Sequence, residues 1–282
     1  DLELIGKMQS TFAPMSSFIE ENHMTTAEGF KRGNRKNKCC DFEGLPLVEA
    51  KSFKPYYISS DKLPTVDFDD FECIVKNARE IFKAPHLIIK QSHKNGQFLS
   101  EVLDYDAVFN HSLLGIHGEI KQLKYLSVII GSRIFSYYHI LTNRKWLVER
   151  DELEAGDIWQ TPIPKPNNTE LTEACNIFDK LVNSPKENYL LEQFVRNMYR
   201  LKEYECYQID DVIDYVYDYF KNKKRSVSFS RPSIDSYKLY YASVKEVLTR
   251  TFGTSVGFSG DLYFSDAPLS VLVLNVEQPT TK

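Results

Sequence analysis

Two polar loops carry the side chains best able to do chemistry. Gly29-Phe30-Lys31-Arg32-Gly33-Asn34-Arg35-Lys36-Asn37-Lys38 holds five cations and no acid. Lys90-Gln91-Ser92-His93-Lys94-Asn95-Gly96-Gln97 mixes Lys, His, Gln and Asn. These are the groups that read base edges: Arg, Lys or His against guanine, Asn or Gln against adenine. Lysines in such loops contact phosphates, while Arg32, Asn34 and Arg35 reach bases. The chemistry is hydrogen bonding to a duplex, with Lys31, Arg32, Asn34, Arg35, Lys36, Lys38, Lys90, Gln91, His93, Lys94 and Asn95 as candidates. Arg144 and Lys145, after Asn143, are candidates for backbone contact only. The plainer alternative for the second loop is a solvated turn at Asn95-Gly96.

Bond-making chemistry has little to stand on, and no catalytic residue is assigned. There is no P-loop, no GxGxxG turn and no nucleophile elbow. The Asn/Asp-Pro-Pro-aromatic loop of adenine-methylating enzymes is absent; Asp266-Ala267-Pro268-Leu269 is a poor imitation. One nuclease-like fragment exists, Glu49-Ala50-Lys51 after an apolar strand with Asp41 upstream. Two carboxylates and a Lys around a divalent ion suit phosphodiester hydrolysis. That tripeptide is common, and Asp41 lies too close for the usual arrangement. His86, His111, His117 and His139 read as structural or surface histidines. The five Cys (39, 40, 73, 175, 206) have no regular spacing and form no CxxC, which fits reduced thiols of a cytoplasmic protein. No His pairs with Cys at zinc-ligand spacing, so no metal site is expected.

Net charge is −4, which argues against indiscriminate coating of nucleic acid. Distribution matters more than the sum. Besides the first loop, Ile81 to Ser100 and Phe220 to Ser233 are basic and acid-free, while acid gathers in Asp67–Glu72, Glu149–Asp157 and Asp210–Asp218. A polarised surface is the expectation. No apolar run approaches the roughly 18–20 residues that span a bilayer, so no membrane partner is expected.

The elements that must position these loops are organised around Lys121 to Pro166. Leu123, Leu126, Ile129, Ile130, Ile134 and Phe135 recur at helical spacing, and Tyr137-Tyr138 closes that helix as core. Pro162, Pro164 and Pro166 then force an extended exit. Before this stretch the chain reads as β-rich. Residues 1–28 form a lead-in, and short extended pieces follow at Gly44–Val48 and Lys54–Ile58. Asp67 to Phe82 reads as a short acidic helix. Strands are expected at Pro85–Lys90, Gln97–Leu103, Ala107–Phe109 and Ser112–His117. After it, helices are predicted at Thr169–Asn183, Lys186–Tyr204, Ile209–Phe220 and Ile234–Phe252, then a hairpin of Val256–Phe264 with Leu269–Val276. The expected class is α+β: a β-rich domain over 1–166, a helical segment over 167–222, and a C-terminal helix plus β-hairpin subdomain over 223–282.

The order of these elements resembles the target-recognition domains of restriction–modification systems. Such domains form the C-terminal part of fused, type IIG-like adenine-specific DNA methyltransferases and occur in type I specificity subunits. The family's "yL..ii.Sr.f.yy" helix is matched by Tyr125-Leu126, Ile129-Ile130, Ser132-Arg133, Phe135 and Tyr137-Tyr138. Its "l..iPiP.P" exit is matched by Ile158 to Pro166, and its "P.lli" strand by Pro85 to Lys90. The early "G...G" loop is similar to Gly29 to Asn34, and the "id..vy.lY" helix to Ile209 to Tyr217. The Gly-Leu usual after that helix is replaced by Asp218-Tyr219. The resemblance covers residues 25–220 and leaves the final segment without a counterpart.

It implies a sequence-specific, non-catalytic recognition module for double-stranded DNA. The module works in the bacterial cytoplasm beside a methyltransferase or restriction catalytic domain or subunit. No cofactor is expected in this chain; S-adenosylmethionine belongs to a partner or upstream domain. One recognition domain and a start at Asp1 without Met fit a fragment, or a stand-alone module, of a fused enzyme. Two other readings stay open: a protein-interaction scaffold using the aromatic helices, and a metal-dependent nuclease at Asp41, Glu49 and Lys51.

Overall fold

The run His86-Leu87-Ile88-Ile89 has no polar alternation because both faces of its strand are covered. A computed structural model describes residues 1–33, 42, 44–51, 53, 56–66, 72–74, 79–93, 96–143, 152–227, 233–253, 257–263 and 271–277, with only the backbone at 31–33, 72–74, 262, 271, 272 and 277. The chain forms two compact units, Asp1–Lys221 and Asn222–Lys282. Helix and sheet are both present, as expected for the α+β class.

Unit 1 begins with helix α1 (Leu2–Thr11), strand β1 (Ala13–Pro14) and helix α2 (Met15–Glu21). The lead-in is thus helical, and it buries Leu4, Ile5 and Met8 while Leu2 stays exposed. Strands β2 (Thr25–Glu28), β3 (Lys31–Gly33), β4 (Leu47–Val48) and β5 (Glu72–Ile74) follow. The acidic helix expected over Asp67–Phe82 is not formed there: β5 pairs antiparallel with β3, and Arg79–Phe82 is a 3-10 turn. Its Ile81 and Phe82 are buried side by side, which a single strand pairing and one tight turn satisfy better than helical spacing. The remaining strands are β6 (His86–Lys90), β7 (Ser100–Leu103), β8 (Val108–Phe109) and β9 (Leu113–His117).

A four-stranded antiparallel sheet in the order β2-β9-β6-β7 is the centre of the unit. Leu87, Ile89, Val102, Leu114 and Ile116 stand on one face and join the large core of helices. Ile88, Leu99, Leu103 and Leu113 belong instead to a second core with Phe30, Val48, Phe82 and Phe109. Burying both faces removes the period-2 signal and leaves a continuous apolar strand.

The helix expected from Lys121 to Tyr138 is two helices, α3 (Ile120–Ile130) and α4 (Arg133–Thr142). Ser132 ends the first by donating to the Ile129 carbonyl and caps the second by accepting from the Phe135 amide. Tyr137 and Tyr138 are buried, as the apolar spacing requires. A short helix α5 (Ala155–Trp159) leads to β10 (Pro162–Ile163), which pairs with β1. Prolines offer no amide, so the exit is held through its carbonyls: Tyr125 Oη donates to Pro164 O at 2.6 Å and Tyr199 Oη to Pro162 O at 2.8 Å.

Helix α6 (Asn168–Asn183) starts at a capping box of Asn167 and Glu170. The single helix expected over Lys186–Tyr204 is interrupted. Helix α7 (Asn188–Met198) stops before Arg200, whose φ is +51°, and α8 (Glu203–Asp211) restarts. The chain then widens into a π-helix at Val212–Tyr217 before α9 (Asp218–Asn222). Lys7 Nζ to Glu205 Oε2, at 2.8 Å, ties the first helix to α8. In unit 2, helix α10 (Ile234–Phe252) precedes an antiparallel hairpin of β11 (Gly257–Tyr263) and β12 (Val271–Glu277). Among the described residues no helix is long and apolar enough to cross a membrane.

Candidate nucleic-acid interface

The sheet register brings the candidate loops to one place. On β9, Leu114 is opposite Glu28 of β2 on one side and Ile89 of β6 on the other, and Leu113 is opposite Lys90. The C-terminal ends of β2 and β6 therefore lie at the same end of the sheet. They flank the start of β9, about two strand spacings (~10 Å) apart. The loop from Gly29 leaves one, and the loop from Lys90 leaves the other. The segment after α4 returns to the same end: Leu153 N donates to Gln91 O at 3.0 Å, and Ser92 bridges Glu152. Anchors of all three basic loops, distant in sequence, thus meet at one end of β6.

The first loop turns at Gly29. A Cβ there would lie 2.3 Å from the Phe109 and Asn110 carbonyl oxygens, so only glycine lets the two chains pass. Phe30 N then donates to Phe109 O at 3.0 Å, and His111 N donates to Phe30 O at 2.9 Å. Lys31 and Arg32 follow in β3, opposite Ile74 and Cys73, with Gly33 opposite Glu72. That pairing sets the backbone of Glu72, an acidic residue, beside the start of the basic loop. The acid-free windows of the sequence are therefore not acid-free in space, and Glu152 beside Ser92 repeats the point. Asn34, Arg35, Lys36, Lys38, Lys94, Asn95, Arg144 and Lys145 lie outside the described residues, as does Asp41.

In the second loop Lys90 and Gln91 are half-buried. His93 is engaged by the protein itself. Its Nδ1 shares a hydrogen bond with Tyr217 Oη at 3.0 Å. Its ring meets the Tyr217 ring edge-on at 5.1 Å and the Phe98 ring at 5.9 Å. Gly96 has φ +76°, and a Cβ on it would come within 3.2 Å of the Tyr217 ring. The loop is thus clamped against the π-helix, and His93 holds it there. Asn143, at the start of the third loop, donates from Nδ2 to Asp157 Oδ2 at 2.8 Å.

Behind Tyr217 an ion-pair network fixes the π-helix, and sequence reasoning missed it. Asp210 accepts from Arg196 Nη2 at 2.9 Å and pairs by charge with Arg133, whose Nε lies 2.9 Å away, and Arg133 Nη2 reaches Asp214 at 2.6 Å. Glu192 accepts the Arg133 amide at 3.0 Å, and burial pushes its carboxyl up to about 7 despite both arginines. These groups line a cavity of about 560 Å³ among α4, α7 and α8. The signal was available: Arg133 belongs to the Ser132-Arg133 motif and Asp210 to the Ile209-Asp210 motif, and the fold pairs them.

Glu49 Oε2 pairs with Lys51 Nζ at 2.8 Å, and the Lys51 side chain is largely exposed. Among the described residues no three His, Cys, Asp or Glu side chains are placed to hold a metal ion. His139 is enclosed in the core, shares a hydrogen bond with Thr161 Oγ1 at 2.9 Å, and is held neutral by burial, with a pKa near 3. His86 Nδ1 donates to Ile81 O, 2.7 Å away, and its pKa is lowered to about 4 by burial.

No protein-family model and no curated protein matches this chain. Among solved structures it is similar to the HsdS subunit from Thermoanaerobacter tengcongensis, at 11% identity and a TM-score of 0.35, over 75% of this chain and 50% of that one. It is also similar to a chain from work on complex assembly and conformational transition of the type I R-M system. That match has 13% identity and a TM-score of 0.30, over 71% of this chain and 50% of the other. The chain thus spans about half the length of each.

Proposed function

We propose that the chain is a sequence-specific recognition module for double-stranded DNA that serves a restriction–modification enzyme. The observation that carries this reading is the meeting of the described anchors of the three basic loops at one end of the β2-β9-β6-β7 sheet. A rigid sheet with polar loops at one end suits reading a groove, because the scaffold fixes the register of the loops. Lys31, Arg32, Asn34, Arg35, Lys36, Lys38, Lys90, Gln91, Lys94 and Asn95 face the duplex in this reading, with Arg144 and Lys145 on its backbone. His93 sets the loop rather than touching a base. The acidic neighbour Glu152 limits non-specific affinity, so that base contacts decide where the module rests. Methyl transfer or cleavage belongs to a catalytic domain upstream or in a partner, which also holds S-adenosylmethionine; the enzyme works in the cytoplasm. The fused type IIG-like arrangement is favoured by the order of the motifs.

The combined Arg32→Ala, Arg35→Ala, Lys94→Ala variant tests the reading. Its affinity for the cognate duplex falls, and the slope of log K against log salt shrinks by about 0.9 for each lost phosphate contact. Unchanged binding to the cognate duplex removes the proposed face. A second reading, a protein-docking scaffold, has its own observation. Tyr189, Tyr204, Tyr207 and Tyr215 are each more than half exposed on α7, α8 and the π-helix. Partner capture that survives nuclease treatment and is lost on Tyr204→Ala, Tyr207→Ala favours it.

A further inference from the structure

Unit 2 is half of a covered sheet. Helix α10 lies over β11: the Tyr241 ring packs on Gly260, and the Phe252 ring sits 6.2 Å from that of Phe258. Residues opposite one another in an antiparallel pair share a face. Leu274 is opposite Gly260 and Val276 opposite Phe258, so both belong to the face that the helix covers. Yet Leu274 is 36% exposed and Val276 63% exposed. The helix shelters one strand and leaves the other bare.

Along α10, Tyr240 and Val247 are 60% and 62% exposed, two turns apart on one flank. Phe258 is the one buried hydrophobic residue among the described residues of this unit. A lone two-stranded hairpin is marginal in water and needs further strands or cover. Among the described residues β12 pairs with β11 alone, and its other edge has no strand partner among them.

We propose that β12 pairs with β12 of a second copy of this chain, antiparallel and centred on Leu274. The strand is its own complement in that register. Leu274 meets Leu274, Val273 meets Asn275, and Val276 meets position 272 of the other copy. No like charges face each other, because the single acid of the strand, Glu277, falls opposite position 271. A two-fold pairing of this kind uses one patch against itself and closes at two copies. The product is a four-stranded sheet with α10 of each copy on the same face, and the bare Leu274 and Val276 of both strands fill the groove between the helices. Side chains of this size present on the order of 100 Å² each when exposed. Leu274, Val276 and the newly covered strand edge are the surface that this pairing removes from water. The proposal does not depend on what unit 1 binds.

The test uses the full chain. Sedimentation at micromolar concentrations is expected to show a dimer. Leu274→Lys, which sets two ammonium groups face to face at the two-fold axis, raises the dissociation constant on the order of 30-fold or more. Should that variant lose the unit's fold, Leu274→Cys decides. Directly opposite residues have Cα atoms about 4.5–5.5 Å apart, within disulfide range. Mild oxidation then links Leu274→Cys into a covalent dimer, while Leu239→Cys, on the 70% exposed outer face of α10, stays monomeric. A monomeric wild-type chain overturns the proposal. So does a dimer in which the two cysteine variants link equally or only Leu239→Cys links.

Discussion

Removing one oxygen tests how the recognition loop is held. Tyr217→Phe deletes the hydroxyl that meets His93 Nδ1 at 3.0 Å and keeps the ring that touches Gly96 and His93. One hydrogen bond is worth about 1 kcal/mol, rising toward ~2 kcal/mol where a part-buried nitrogen loses its partner. Tyr217→Ala also removes a ring only 7% exposed, which brings the cost to about 3–5 kcal/mol. Urea unfolding reads the global loss. Hydrogen exchange of the amides around Gln91–His93 and Gly96–Gln97 reads the local one, and a loss of 1.4 kcal/mol speeds exchange about tenfold. The Tyr217→Phe, His93→Ala double-mutant cycle should return a coupling of about 0.5–1.5 kcal/mol. The reasoning fails if Tyr217→Phe leaves both stability and loop exchange unchanged, or if the cycle returns zero. In that case the loop is set from elsewhere, and the π-helix is a neighbour rather than a clamp.

Three more expectations follow from the same geometry. Gly96→Ala adds a Cβ at φ +76° within 3.2 Å of the Tyr217 ring, so it costs about 1–2 kcal/mol in urea melts, and less in a Tyr217→Ala background. Glu192 titrates near 7 in the fold against 4.5 unfolded, because burial disfavours its charge. Its folded pKa is raised, so its contribution is full below about 4.5 and is lost as pH climbs through 7. Glu192→Gln, which keeps an acceptor for the Arg133 amide, flattens that limb and gains about 1–2 kcal/mol at pH 8; an unaltered pH profile refutes it. His139 is held neutral down to a pKa near 3 against 6.5 unfolded. Stability is therefore lost as pH falls from 6.5 toward 3, and a folded His139→Gln variant loses that acid limb in melts taken across the range.

Much of the helical half was legible in the chain. The spacing of Ala174, Ile177, Phe178 and Leu181 marks α6 with little ambiguity, while its Asn167 and Glu170 cap lies just before the expected start at Thr169. The span of α10 and the β11-β12 hairpin are also written locally, in a continuous period and in alternation. Breaks were harder to see. Gly131-Ser132 splits α3 from α4 through a cap whose strength depends on its surroundings, and Arg200 ends α7 with a positive φ that no residue type announces. Pairings were hardest, since β3 with β5 joins segments some forty residues apart that carry no mutual signal.

The sequence by itself determined which residues are basic and, where the apolar period is continuous as in α6 and α10, which segments are helices, because these follow from residue type and local period. It named the loops at Gly29 and Lys90 as separate polar stretches. Only the tertiary structure decided that they leave the same end of one sheet, that the loop before Glu152 returns to it, and that Glu72 lies beside the first loop. It also set His93 against Tyr217, and joined Arg133 to Asp210 across two distant motifs. The physical reason is the same in each case. Strand register and ion pairing are long-range contacts, whose energy is shared between segments that neither can specify alone.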